Sequence, residues 1–135
     1  MTTSPRVLVV EDHTDGRESL VDILEFQGYD VTSVADGAAG LAQLCGAPFE
    51  AVVLDLGLPD IDGVEVIRAA RARSAAPAIL VFTGFHRLKD AAEAAGCDAF
   101  ILKPELEQLL ASLGTMVAAR ASYRVPGPEA RKEHG

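Results

Sequence analysis

Asp55 closes the apolar run AVVL (51–54), Glu11 and Asp12 follow RVLVV (6–10), Thr83 follows AILVF (78–82) and Lys103 follows AFIL (99–102). Each is a group capable of chemistry, and each comes directly after a stretch suited to a buried strand. A carboxylate in such a place is costly unless something pairs with it. Three carboxylates meeting in one crevice would raise one another's pKa unless a cation neutralised them. Mg²⁺ fits that need, because it takes oxygen ligands, keeps several waters and commonly combines one or two carboxylates with phosphate oxygens. Beside such an ion Asp55 can act as a nucleophile toward a phosphoryl donor, the carboxylate chemistry that yields an aspartyl phosphate. Lys103 then offers an ammonium and Thr83 a hydroxyl donor to the added charge. Pro59 and Gly63 shape the loop that leaves room for both metal and phosphoryl group.

These groups converge only if the runs that precede them lie side by side. Five apolar runs, 6–10, 29–34, 51–54, 78–82 and 99–102, recur at intervals of roughly 20 to 25 residues. Four are nearly continuous, as strands buried on both faces of a parallel sheet are, whereas YDVTSV (29–34) alternates like an edge strand. Helix patterns separate them. Asp15 followed by Glu18, and Asp62 followed by Glu65, carry the signature of an N-cap with an acid at N3, and Asp36 is a further N-cap. Gly28 and Gly96 fall where helices should stop. Leu20, Ile23, Leu24 and Gln27 keep helical spacing, as do Leu106, Leu109, Leu110, Leu113 and Val117. The order βαβαβαβαβα predicts a doubly wound α/β domain, in which ligands bind beyond the carboxyl ends of the strands. We expect that domain over residues 1–120, followed by a flexible tail, 121–135, rich in Pro, Gly and mixed charge.

Composition narrows the partners. The chain has 135 residues, 49% of them apolar and 24% charged, with a net charge of -8. That balance suits one globular domain, and the acidity argues against nucleic acid as the partner. Cys45 and Cys97 are two lone cysteines without a signal peptide, so a reducing cytoplasm is expected and both read as small apolar fillers. No apolar run approaches the ~20 residues of a membrane span.

The motifs VLVVEDH (7–13), VVLDLGLPDIDG (52–63), FTG (82–84) and FILKP (100–104), in that order and spacing, resemble the receiver domains of two-component response regulators. The resemblance covers residues 6 to about 118. It implies a flavodoxin-like (βα)5 fold with strand order 2-1-3-4-5. It further implies that Glu11 and Asp12 hold Mg²⁺ together with Asp55 and the backbone carbonyl of Gly57. Asp55 then matches the phosphoacceptor, Thr83 the hydroxyl that meets the phosphoryl group, Lys103 the ion-pairing lysine and Phe100 the aromatic switch residue coupled to Thr83. Gly57 and Phe85 match positions that tune phosphoryl lifetime. The expected partners are a sensor histidine kinase or histidine phosphotransfer protein and a downstream protein target, with no membrane and no nucleic acid, and with homodimerisation on phosphorylation. A repacked α4–β5–α5 face would carry the response. The protein would not be an enzyme beyond self-catalysed phosphoryl transfer and slow autodephosphorylation. It would act as a stand-alone receiver or as a domain excised from a hybrid kinase.

Other readings lose on specific residues. A flavodoxin-like electron carrier needs a Ser/Thr/Gly phosphate loop where this chain has the acidic EDHTDG (11–16). A dinucleotide oxidoreductase needs G-x-G-x-x-G, which is missing. A haloacid-dehalogenase-type phosphatase needs a second aspartate at position 57, which is Gly. A binding module without phosphorylation would not need every acceptor residue that is present here. Taken singly, Asp55 could open a turn, Lys103 could precede a helix with Pro104 at N1, His13 reads as a solvated loop residue, and the Ala-rich segments 69–76 and 91–95 read as helix surface.

Overall fold

A computed structural model describes residues 4–124. Five strands alternate with five helices: β1 Arg6–Val10, α1 Thr14–Phe26, β2 Asp30–Val34, α2 Gly37–Gly46, β3 Ala51–Leu54, α3 Gly63–Arg71, β4 Ala78–Thr83, α4 Lys89–Ala95, β5 Ala99–Leu102 and α5 Leu106–Arg124. A single 3₁₀ turn, His86–Leu88, precedes α4. All strand pairs are parallel and the order is β2-β1-β3-β4-β5. This is the doubly wound α/β fold expected from the pattern, with the flavodoxin-like strand order that the receiver-domain resemblance implies.

The continuous apolar runs arise because the sheet is covered on both sides. Leu8, Val10, Val52, Leu54, Ile79 and Val81 face α2, α3 and α4, where they meet Leu44, Val66, Ile67 and Ala92. The alternate residues Val7, Val9, Val53 and Leu80 face α1 and α5, where they meet Leu20, Leu24, Leu109 and Leu113. With period 2 in the strands and helical spacing outside, every residue of β1 after Arg6 and every residue of β3 is buried. β5 is also an edge strand, and its partial exposure contrasts with the fully buried strand that its apolar run suggests.

Several local expectations hold and others shift. Asp36 and Asp62 cap α2 and α3, their carboxylates accepting from the N–H groups of Ala39 and Val64. Gly28 and Gly96 both take positive φ just past a helix. Asp15 is not a cap. α1 begins at Thr14, and the Nδ1 of His13 accepts from the N–H of Gly16, leaving Asp15 in the first turn, where a negative charge suits the helix N-terminus. Cys45 is exposed rather than a core filler. Ala70 and Ala92 lie in the core, because α3 and α4 turn their small residues toward the sheet. α5 runs past the boundary expected at residue 120, to Arg124, and the rest of the expected tail, 125–135, lies outside the described residues.

Candidate functional site

The parallel register carries β1, β3, β4 and β5 to one level, so the residues after them share an edge. Val10 pairs with Leu54, Leu54 with Val81, and Thr83 with Leu102. The Asp55 carboxylate is buried there and is reached from three sides. Thr83 Oγ1 donates to Oδ1 at 2.7 Å, the N–H of Gly57 donates to the same oxygen at 3.2 Å, and Lys103 Nζ donates to Oδ2 at 2.8 Å. Lys103 Nζ also donates to Glu11 Oε1 at 2.6 Å, while Glu11 Oε2 accepts from the N–H of His13 at 3.0 Å. Lys103 is joined to Pro104 by a cis peptide bond, and α5 starts only at Leu106, so Pro104 is not a first helical residue. All five groups that end strands in the sequence are thus in one place.

The hydrogen bonds decide the protonation states. Burial pushes the Asp55 carboxyl up, but the bonds from Lys103, Thr83 and Gly57 outweigh it and hold the group below the usual carboxylate value. Burial likewise pulls the Lys103 ammonium down, and its bonds to Asp55 and Glu11 more than restore it. Around neutral pH the pair is therefore an anion beside a cation.

One ammonium does not balance three carboxylates. One carboxylate oxygen from each of Glu11, Asp12 and Asp55 lies within 4.8 Å of the others. Glu11 and Asp55 are buried with both oxygens engaged, whereas Asp12 is exposed and its carboxylate accepts no hydrogen bond among the described residues. An all-oxygen donor set with excess negative charge fits a hard divalent cation such as Mg²⁺ and not a soft metal. The His13 imidazole is not a member of this cluster and caps α1 instead.

The surrounding loops hold features not legible from spacing. Asp60, in the loop after Asp55, accepts from the N–H groups of Gly37 and Ala38, both at 2.8 Å, and ties that loop to the start of α2. Those bonds, Ala38 first, hold the Asp60 carboxyl below its usual value. A Cβ on Gly37 would lie 2.3 Å from Ile61, so the close approach needs glycine there. The half-exposed ring of Phe85 lies over Gly57, where a Cβ would come within 2.5 Å of it. Arg17 reaches back from α1 to the acidic loop, donating to the carbonyls of Glu11 and Asp12. Phe100 is half-buried, packed on the α2–α3–α4 side of the sheet and paired in register with Val81.

The family model of the response regulator receiver domain matches residues 7–114. The chain belongs to that family. Among relatives of this receiver domain, the transcriptional regulatory protein PrrA of Mycobacterium tuberculosis is 36% identical over 130 residues, which are 94% of this chain and 56% of PrrA. The response regulator MprA of Mycobacterium bovis is 38% identical over 117 residues, 84% of this chain and 51% of MprA. The chain therefore spans about half the length of the curated relatives it matches. Among solved structures, the chemotaxis response regulator CheY4 of Vibrio cholerae is 30% identical with a TM-score of 0.77, covering 84% of this chain and 99% of its own. The receiver domain of sensor histidine kinase PA1611 from Pseudomonas aeruginosa, solved with a magnesium ion in its active-site cleft, is 25% identical with a TM-score of 0.79 and covers 86% of this chain and 99% of its own.

Proposed function

We propose that this receiver domain is a phosphoacceptor switch in which Asp55 takes a phosphoryl group from the phosphohistidine of a sensor histidine kinase or a histidine phosphotransfer protein. The observation that carries the reading is a buried carboxylate with a donor on each oxygen, Thr83 at 2.7 Å and Lys103 at 2.8 Å. That arrangement keeps Asp55 ionised and aligned as a nucleophile. An Asp55 oxygen attacks phosphorus, the P–N bond breaks with its electron pair returning to the imidazole, and an acyl phosphate forms. Lys103 and Thr83 then donate to phosphoryl oxygens in place of the carboxylate. The side chains of Glu11, Asp12 and Asp55 and the carbonyl of Gly57 would hold Mg²⁺. When bound, the ion supplies positive charge that offsets repulsion between the carboxylates and the phosphoryl oxygens.

The response starts from Thr83. Its hydroxyl also accepts from the N–H of Phe85 at 3.3 Å, at the entry to the 3₁₀ turn and α4. A hydroxyl turned toward a phosphoryl group gives up both of its present contacts, so the β4–α4 loop and Phe100 repack. The α4–β5–α5 face then changes its affinity for a downstream protein or a second copy of the chain. Chemistry ends on the protein's own Asp55, and slow autodephosphorylation resets it.

A second reading is supported by length: PrrA and MprA extend well beyond the matched region, which is 56% of the one and 51% of the other. In that reading the same switch acts on a further attached domain, and the phosphoryl chemistry is unchanged.

The test is intact mass after incubation with acetyl phosphate, with and without Mg²⁺, for the unmutated chain and Asp55→Asn. A Mg²⁺-dependent gain of one phosphoryl group, absent from the variant, is the expected result. Equal gain in Asp55→Asn would place the acceptor elsewhere. No gain from acetyl phosphate or from a phosphorylated histidine phosphotransfer protein would leave a phosphorylation-independent binding module.

A further inference from the structure

Arg17 sits one turn into α1, and its half-buried side chain turns back toward the loop that carries two of the three carboxylates. Nη1 donates to the carbonyl of Glu11 at 2.9 Å and to that of Asp12 at 3.4 Å. The backbone N–H of Arg17 donates to the carbonyl of His13 at 2.8 Å. Three consecutive carbonyls, 11 to 13, therefore end on one residue. The loop closes further on itself, since the N–H of His13 donates to Glu11 Oε2 and the N–H of Gly16 to His13 Nδ1.

A cation in this position has two effects of opposite sign on a divalent ion. As a charge it repels the ion, so its removal should tighten binding. As a brace it fixes the backbone of Glu11 and Asp12, so its removal should loosen binding. Arg17 spends its bonds on carbonyls and makes none to a carboxylate among the described residues. Both side-chain bonds leave from Nη1, which lies one bond farther along the side chain than a lysine Nζ, so an ammonium at this position falls short of the two carbonyls.

We propose that Arg17 is a positioning residue that holds the acidic loop in the geometry that binds a divalent cation. This rests on reading Glu11, Asp12 and Asp55 as a divalent-cation site. Asp12 makes the brace consequential: among the described residues its carboxylate has no hydrogen bond of its own to hold it, so its place depends on the backbone that Arg17 fixes.

The experiment is Mn²⁺ affinity by electron paramagnetic resonance at fixed ionic strength, for the unmutated chain, Arg17→Met and Arg17→Lys, with hydrogen exchange at the His13 and Gly16 amides, which donate to Glu11 Oε2 and His13 Nδ1. Arg17→Met keeps the apolar stem and removes the guanidinium. It should weaken Mn²⁺ binding about tenfold, the range for lost outer-shell partners, and speed exchange at both amides. Arg17→Lys keeps the charge and should lose several-fold. Equal or tighter binding in Arg17→Met, or unchanged exchange, would overturn the proposal. If Arg17→Met does not fold, unchanged affinity in Arg17→Lys overturns it and reduced affinity supports it. Failure of the unmutated chain to bind Mn²⁺ would instead overturn the reading of the site, and this proposal with it.

Discussion

Ion pairs sit at both ends of the strands, and they are built on opposite terms. At the carboxyl ends, Lys103 is shared between Glu11 and Asp55, whose side chains are only 7% and 10% exposed, with Asp12 beside them. At the amino ends, Arg71 of α3 meets Asp98 just before β5, with side chains 40% and 38% exposed. There the charges cancel one to one, and the remaining bonds go to backbone: Arg71 Nε donates to the carbonyl of Gly96 at 3.0 Å, and Asp98 Oδ2 accepts from the N–H of Ile79 at 2.7 Å. The lower cluster is complete within the protein. The upper one is held in place by good hydrogen bonds yet keeps surplus negative charge, which a structural cluster would have no reason to retain at the cost of burying it. An arrangement that is ordered but electrostatically unfinished is one prepared for a partner from outside.

The sharpest way to break this contrast is Asp55→Asn, which is nearly isosteric and removes one of the surplus charges. Phosphoryl uptake by intact mass should vanish while the circular dichroism spectrum and cooperative unfolding are kept. Loss of the fold in this variant would mean that the upper cluster is structural after all.

Lys103→Ala should have the next largest effect. It leaves three carboxylates facing one another, and with the lysine partly exposed the expected loss is about 1–2 kcal/mol by urea unfolding, below the ~3–5 kcal/mol of a fully buried broken pair. Mg²⁺ should stabilise this variant more than the unmutated chain, since each added charge relieves more repulsion. Equal stabilisation would show that the lysine and the metal site do not share the same carboxylates.

The same pair sets a pH dependence. Asp55 has its carboxyl held below the ordinary value of 3.8, so its contribution is present above that value and is lost as pH falls through the lower, folded value. Lys103 has its pKa held above 10.5, so its contribution is present below 10.5 and is lost as pH rises through the higher, folded value. Stability measured across pH should therefore decline at both extremes, and Lys103→Ala should flatten the alkaline limb. An alkaline limb that keeps its slope in the variant would mean another group produces it.

How much of this the sequence revealed depends on the kind of signal. β1, β3 and β5 have the residue limits read from their apolar runs, and for β1 and β3 the cause is burial on both faces, which leaves little choice of residue type. The strand-end groups were legible because register is uniform in a parallel sheet, so the residue after each run arrives at the same edge. What failed was local competition and long-range reach. His13 won the capping position from Asp15 because the loop geometry set by Glu11 brought its imidazole to Gly16. The Asp60 link to α2 joins residues 22 and 23 positions apart, and Arg71 meets Gly96 across 25, separations that no periodicity encodes. Ala70 and Ala92 read as surface because alanine carries no directional signal, while close packing of α3 and α4 on the sheet demands small residues.

Arg71→Ala should have the smallest effect, and it tests the lower half of the contrast. Exposed ion pairs contribute ~0–1 kcal/mol, and the bonds to the Gly96 carbonyl add to that, so a loss of about 1 kcal/mol is expected by thermal unfolding. Asp98 keeps its bond to Ile79 and the Gly96 carbonyl is open to water, so neither is left buried without a partner. Phosphoryl uptake should match the unmutated chain, because the substitution lies at the opposite end of the sheet from Asp55. A fall in uptake would carry a specific message: Arg71 grips the C-terminal end of α4, whose other end follows the Thr83–Phe85 contact. The two clusters would then be the two ends of one lever, and not the independent structural and chemical parts that their charge balance indicates.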